Sequence, residues 1–99
     1  MQTRSTFKVS KKAKLDLEAI WLYGVDNWSL RHAESYVARL YTAFDFLGAM
    51  PSAGRPAANF RSGYFRHEIK SHTIFYQIGE RHITIIRVLH EKMDPGRHL

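Results

Sequence analysis

The chain has 99 residues, a formal net charge of +6 and no cysteine. A chain of this length can bury one modest core, so we expect residues 1–99 to form a single domain. No apolar run reaches the roughly 18 residues of a membrane span or forms the centre of a signal peptide, and the lack of thiols excludes disulfides and thiolate zinc sites, so we expect a cytoplasmic protein.

The first half predicts a strand followed by two helices. Apolar and polar residues alternate over Phe7–Ser10, and the serine is a good N-cap for a helix from about Lys11 to Asn27. Ser29 is a second N-cap candidate, for a helix from about Leu30 to Met50. The short connector predicts an antiparallel helical hairpin. The apolar stripes are Ala13, Leu17, Ile20, Trp21, Gly24 and Trp28 in the first helix and Ala33, Tyr36, Val37, Leu40, Phe44 and Leu47 in the second.

The second half predicts a sheet. Residues 51–63 contain Pro, Gly, Ser and Asn, which is typical of a loop. Segments rich in β-branched and aromatic residues predict strands at Tyr64–Ile69, His72–Ile78 and Ile83–His90, and the last two form a hairpin. Both faces of this hairpin carry apolar residues, so we expect inner strands whose odd and even residues face opposite sides. The order predicts an α+β fold: an N-terminal strand, an antiparallel helical hairpin, then a three-stranded antiparallel meander completing one small sheet.

The positive charge is biased towards arginine in the second half. The basic residues there are Arg55, Arg61, Arg66, Arg81, Arg87 and Arg97, with Lys70 and Lys92. Arginine suits bidentate pairing with carboxylate or phosphate, so the charge favours an acidic protein or a nucleic acid as partner. In the first half, Lys11, Lys12 and Lys14 fall in the first turn of the predicted helix, where the helix dipole disfavours cations. This indicates another use for them, such as solubility or binding a partner.

Five phrases, taken together and in this order, resemble a known family. They are Asp16–Tyr23, Pro51–Pro56, Arg61–Tyr64, His72–Tyr76 and Arg87–Asp94. Each phrase alone is weak, but their spacing resembles the ParE branch of the RelE/ParE toxin superfamily over nearly the whole chain. The resemblance implies one ParE-like toxin domain with the RelE/ParE-like fold.

The resemblance also implies a function and partners. Toxins of this branch belong to type II toxin–antitoxin systems, are held inactive in a hetero-oligomer by a ParD-like antitoxin whose tail wraps the toxin, and inhibit DNA gyrase without being enzymes. We expect no cofactor, and no metal because the six histidines lack ligand spacing. One departure from the family is Ile69–Lys70, which replaces a small or glycine-containing connector ahead of His72 and would extend the strand or alter the start of the hairpin.

We expect cationic and aromatic contacts to the antitoxin, from Arg55, Arg61, Arg66 and Trp21. We expect target contacts in the C-terminal tail, from Met93, Asp94 and Arg97, because the Met-Asp-Pro phrase there matches the family. The alternative for residues 91–99 is a loose polar terminus, and Pro95-Gly96 predicts no regular structure in this segment.

The enzymatic alternative is RNA cleavage without a metal, as in the RelE branch. Such a reaction needs a base, an acid and cations at the phosphate. The candidates are Arg66, Arg87 and His90 and, less well, Glu68 and Tyr76. Strict alternation places Arg87 and His90 on opposite faces, which argues against one compact site and leaves a structural ion pair for Arg87 and a bond to the tail for His90. A third alternative is a non-toxic module that only binds antitoxin.

Overall fold

The computed structural model describes residues 6–99, in which a helical hairpin covers one face of a five-stranded sheet. The sheet order is β1-β5-β4-β3-β2, with β1 parallel to β5 and all other neighbours antiparallel. The elements are β1 (Phe7–Val9), α1 (Lys11–Asn27), α2 (Leu30–Ala49), a 3₁₀ turn (Pro51–Ala53), β2 (Arg55–Pro56), β3 (Tyr64–Ile69), β4 (His72–Ile78), β5 (Ile83–His90) and α3 (Pro95–His98). The α+β class is confirmed. None of the helices in this part of the chain is long and apolar enough to cross a membrane.

Both long helices begin at the predicted N-caps. The Ser10 hydroxyl accepts a hydrogen bond from the Ala13 N–H, and the Ser29 hydroxyl accepts one from the His32 N–H, each at 3.0 Å. These bonds satisfy amides that have no partner within the helix. Helix α2 ends before Met50 rather than at it, because the following proline disfavours helical backbone in the residue that precedes it.

The main core lies between the helical hairpin and the sheet. Its buried members include Ala13, Leu17, Leu40, Phe44, Leu47, Ile74, Tyr76, Ile83, Ile85 and Val88. The predicted helical stripes supply half of these residues, but Trp28 was wrongly placed in the core. Trp28 is 68% exposed and stacks on His32, because it is the C-cap residue, where the chain leaves the helix and the helical phase no longer applies. Trp21 is only partly buried.

A smaller cluster covers the other face of the sheet. Ala57, Phe75 and Leu89 are buried there, with Phe60, Tyr64 and Leu99 packed against them. Because β4 and β5 are covered on both faces and lie inside the sheet, the prediction of two inner strands is confirmed. The predicted loop 51–63 was wrong in part, since two of its residues form β2, an edge strand paired with β3.

Strand β5 departs from strict alternation at Ile86. Ile85 pairs with Tyr76 and Arg87 pairs with Phe75, so Ile86 has no partner and forms a bulge. A bulge shifts every later residue to the opposite face from the one that simple alternation gives. Val88 therefore packs in the main core, on the face where strict alternation from Ile85 would place Arg87.

The C-terminal tail is docked, and the expectation of no regular structure in it was wrong. Pro95 starts the single turn of α3, a position where its missing N–H is not needed. The Asp94 carboxylate caps this turn by accepting a hydrogen bond from the Gly96 N–H at 3.0 Å. Leu99 then packs against the smaller cluster, and the Glu91 N–H donates to the Ser71 carbonyl at 2.7 Å, so the tail is held at both ends.

The β3–β4 turn explains the departure at residues 69 and 70. Strand β3 ends at Ile69 and β4 begins at His72, so the turn is only two residues long. Lys70 has φ +52°, in the left-handed region that favours glycine. The lysine therefore starts the hairpin in a strained conformation and does not extend the strand.

Candidate functional site

Two clefts lie beside the C-terminal tail. The first, of about 280 Å³, is the tail cleft, and residues that line it include Arg66, Glu68, His90, Glu91 and Met93. The second, of about 330 Å³, is the basic cleft, and its charged or titratable lining consists of Lys11, Lys12, Arg61, Arg87 and His98. The two adjoin, because Phe60 lines the first and its neighbour Arg61 lines the second.

Arg66 is held between two aromatic rings in the tail cleft. Its guanidinium carbon lies 5.7 Å from the ring centroids of Phe60 and of Phe75. Its Nη2 donates to Glu68 Oε2 at 3.2 Å, and Arg55 reaches the same oxygen at 3.4 Å. Its Nε is buried and has no hydrogen-bond partner within residues 6–99. Two of the three arginines that were predicted to contact the antitoxin, Arg55 and Arg66, therefore pair with the same carboxylate of this chain.

Arg87 joins three parts of the chain. Its Nε and Nη2 donate to the two oxygens of Asp16 in α1 at 2.8 and 2.9 Å, and its Nη1 donates to the His98 carbonyl in α3 at 2.9 Å. The Asp16 carboxylate also accepts the Val88 N–H at 2.9 Å. The hydrogen bonds to Asp16 raise the pKa of Arg87 above its ordinary value. Arg87 therefore has the structural ion pair that was the alternative to a catalytic role.

His90 packs in a group of ring side chains where α2, β4 and β5 meet. The His90 and His72 rings meet edge to face, with 5.2 Å between their centroids. The Tyr36 hydroxyl lies 2.6 Å from His72 Nδ1. Burial, followed by the charge of His90, lowers the pKa of His72 from 6.5 to about 4. His90 Nδ1 accepts the Lys92 N–H at 3.1 Å. His90 thus makes the predicted bond to the tail.

Tyr76 is fully buried and ties β4 to the segment after α2. Its hydroxyl donates to the Pro51 carbonyl at 2.6 Å and accepts the Gly54 N–H at 3.0 Å. Burial raises the pKa of Tyr76 above its ordinary value. A hydroxyl that is buried and bonded on both sides is a structural tie and has no open approach for a substrate.

The nuclease candidates divide into two groups. Arg66, Glu68 and His90 line the tail cleft, whereas Arg87 and Tyr76 are bonded elsewhere. In the strand register Arg87 pairs with Phe75, and His90 pairs with His72. Arg87 and His90 therefore lie on opposite faces of the sheet even with the bulge. The tail cleft holds one arginine and two glutamates, which gives a poor environment for a phosphate.

The remaining predicted residues lie at three places. Arg61 lines the basic cleft, with its guanidinium 5.7 Å from the Tyr64 ring centroid. Trp21 is partly buried on α1. In the tail, Met93 is 44% exposed and Arg97 is exposed. Asp94 is occupied as the cap of α3.

Sequence reasoning missed the basic cleft and Asp16. The cleft forms only when residues 10–12, 61–64 and 86–99 come together, which no local pattern reveals. A signal for it did exist, since Lys11 and Lys12 lie in the helix turn where cations are disfavoured. Asp16 borders the apolar stripe of α1, and a carboxylate at such a border needs a buried partner. Within residues 6–99 no group of three or more His, Asp or Glu side chains is arranged to hold a metal ion.

Known proteins match the chain along most of its length. The family model described as "ParE toxin of type II toxin-antitoxin system, parDE" matches residues 7–95. Toxin ParE1 of Caulobacter vibrioides is 38% identical over 93 residues, which cover 94% of this chain and 96% of the relative. Toxin ParE1 of Mycobacterium tuberculosis is 40% identical over 96 residues, covering 96% and 98%.

A solved structure agrees with the fold. The structure titled "Chromosomal ParDE TA system from P. aeruginosa" matches with a TM-score of 0.77 at 21% identity, covering 86% of this chain and 94% of that chain. At this identity the likeness supports the fold alone. The family model and the two relatives carry the assignment further: this chain belongs to the ParE toxin family of type II toxin–antitoxin systems.

Proposed function

We propose that this toxin inhibits DNA gyrase in the cytoplasm by binding, without being an enzyme, and that a ParD-like antitoxin neutralises it in a hetero-oligomer. Membership of a toxin–antitoxin family implies an antitoxin partner. The gyrase target follows from the resemblance to the ParE branch. The observation that carries the non-enzymatic part is the state of Arg87, whose guanidinium is committed to Asp16 and to the His98 carbonyl.

Charge in the tail cleft supports the same proposal. RNA cleavage needs cations that stabilise a phosphorane-like transition state. Arg66 already contacts Glu68, and Glu91 adds a second carboxylate to the lining. A phosphodiester entering this cleft would meet net negative charge, whereas a toxin that acts by binding needs no cation there.

The docked tail supplies a surface for the target. Met93 and Arg97 are exposed, and the segment that carries them is held by the capped turn and by Leu99. A surface that is already ordered loses little entropy on binding. We therefore assign target contacts to Met93 and Arg97, and we assign Asp94 to holding the turn in place.

A supercoiling assay with purified toxin and gyrase tests this assignment. We expect the wild-type toxin to inhibit supercoiling and the double variant Met93→Ala/Arg97→Ala to need at least about tenfold more protein, the loss of roughly 1.4 kcal/mol of binding free energy. The matched control is Arg81→Ala, an exposed arginine at the opposite end of β5, which should inhibit like wild type. Normal supercoiling at a large excess of wild-type toxin would contradict the proposal.

The second candidate function is RNA cleavage, and one observation favours it: Arg66, Glu68 and His90 line one cleft. Induced expression without antitoxin separates the two functions. A DNA-damage response with intact messenger RNA supports gyrase inhibition. Rapid messenger RNA cleavage that His90→Ala abolishes, with antitoxin affinity unchanged, establishes a nuclease instead. Normal growth on expression would leave only the non-toxic binding module.

A further inference from the structure

The basic cleft gathers four cationic side chains, Lys11, Lys12, Arg61 and Arg87, and no Asp or Glu side chain lines it. Its lining comes from the start of α1, the loop before β3 and the C-terminal turn. Arg87 is neutralised by Asp16, which leaves Lys11, Lys12 and Arg61 as the charges that a ligand would meet. These three make no ion pair within residues 6–99.

The other predicted antitoxin arginines are in a different state. Arg55 and Arg66 both contact Glu68, so an incoming carboxylate at either would compete with one that is already bound. Arg61 lies over the Tyr64 ring, which orients the guanidinium while leaving its N–H donors open. Of the three arginines, Arg61 is therefore the one prepared for an external anion.

The two lysines occupy positions that the helix itself disfavours. Helix α1 has no acidic residue in its first turn, and Lys11 and Lys12 add positive charge beside the positive end of the helix dipole. A local conflict of this kind is relieved when an anion binds between the two lysines and Arg61. Functional sites are where sequences break local rules.

The lining of the cleft also contains apolar groups. Ile86, Leu99 and the Tyr64 ring line it together with the cations, so the cleft offers both charge and hydrocarbon to a ligand. A volume of about 330 Å³ has room for side chains of a partner. This pairing of surfaces fits a peptide in which an acidic residue stands next to an apolar one.

We propose that the basic cleft receives an acidic segment of the antitoxin, with a carboxylate bound by Lys11, Lys12 and Arg61 and a neighbouring apolar side chain on Ile86 and Leu99. The inference rests on the proposed function, in which an antitoxin binds this toxin. A polynucleotide fits less well, because the adjoining tail cleft carries Glu68 and Glu91, which repel a continuing phosphate backbone but not a peptide of mixed composition.

Charge reversal tests the proposal. The variant is Lys12→Glu/Arg61→Glu, and the matched control is Lys70→Glu/Arg81→Glu, which has the same net charge but changes exposed residues outside both clefts. The measurement is the Kd for the purified cognate ParD-like antitoxin at low and at high salt. We expect the cleft variant to bind at least about tenfold more weakly at low salt, with a flatter salt dependence, and the control to stay within about twofold of wild type.

Three further measurements accompany the antitoxin Kd: thermal unfolding, binding of duplex DNA and supercoiling. Thermal unfolding of both variants must match wild type. If the cleft variant is destabilised, the milder variant Lys12→Gln/Arg61→Gln replaces it. Unchanged antitoxin affinity in the cleft variant overturns the proposal, and so does a duplex DNA oligonucleotide that binds wild type and is lost only in that variant. Supercoiling is measured in parallel. If the cleft variant binds antitoxin more weakly but wild-type toxin has no effect on gyrase, the proposal for the basic cleft is supported and only the proposed gyrase target is contradicted.

Discussion

Arginine pairs with a carboxylate at two places within residues 6–99, around Asp16 and around Glu68, and the consequences differ. Arg87 and Asp16 are 15% and 12% exposed and form a bidentate pair, whereas Arg55 and Glu68 are 70% and 56% exposed and share a single contact at 3.4 Å. Exposed pairs contribute little because water screens them and both side chains lose entropy. A largely buried bidentate pair leaves an uncompensated charge when one partner is removed.

We predict that Asp16→Asn lowers the free energy of unfolding by about 2–4 kcal/mol, since Arg87 would keep a neutral acceptor but lose its counter-charge in a poorly solvated site. Urea titration measures the loss. The matched control is Glu68→Gln, which removes the same charge from an exposed carboxylate paired with Arg55 and Arg66 and should cost below about 1 kcal/mol. Equal losses for the two variants would mean that Arg87 is better solvated than its contacts imply.

At the scale of elements, helix α2 places leucines of identical chemistry in different environments. Leu40 is fully buried between the hairpin and the sheet, while Leu30, in the first turn of the same helix, is 54% exposed. The helical period assigns these faces correctly, because α2 is regular over its whole length.

We predict that Leu40→Ala costs about 2–5 kcal/mol of unfolding free energy, because it removes buried hydrocarbon and leaves a cavity. Leu30→Ala is the control with identical chemistry and should cost less than about 1 kcal/mol. Chemical denaturation of the two variants beside wild type decides the point. A small loss at residue 40 would show that the helix packs on another face.

The elements that sequence reasoning predicted share a local origin. The caps at Ser10 and Ser29 and the periods of both long helices depend on residues within one or two turns, and the structure confirms them. Strand β2 has only two residues and exists only because β3 lies beside it. The bulge at Ile86 and the turn of α3 likewise depend on contacts with distant segments, which a local pattern cannot contain.

The site was less predictable than the fold for the same physical reason. Sequence named Arg87 and His90 by residue type, but only the folded chain shows that Asp16 and the tail occupy them. Arg61 was named for its charge alone. Its value as a contact depends on neighbours 49 or more positions away, the two lysines of α1, which share a cleft with it only in three dimensions.

At the scale of the whole molecule, His72 reports on the junction of α2, β4 and β5. The groups that face it are Tyr36, His90, Asp16 and Glu91, and burial outweighs the two carboxylates in setting its pKa. Its pKa is 6.5 in the unfolded chain and about 4 in the fold. Between these two pH values the unfolded chain binds a proton at His72 and the native protein does not. The free energy of unfolding must therefore fall as the pH falls through this window.

We predict that His72 removes about 1–2 kcal/mol of stability between pH 6.5 and pH 4, a range reduced for its partial exposure. Unfolding free energies from urea titration across that window measure the effect. His72→Gln, which can still bond to Tyr36, should show a shallower dependence than wild type. His32→Gln, at an exposed position, should retain the wild-type slope, and parallel slopes for all three proteins would contradict the prediction.

The parallel pairing of β1 with β5 has a consequence for how the toxin folds during its synthesis. A ribosome makes residues 7–9 first, but their only partners in the sheet are Ile83–Ile85, and Ser10, which starts α1, hydrogen-bonds to the carbonyls of Ile85 and Ile86. The nascent chain therefore cannot complete its sheet or fix the hairpin on it until almost the whole sequence has emerged. Both clefts are lined by residues of β5 and of the segment after it, so they form only late in synthesis, once this part of the chain has emerged and folded.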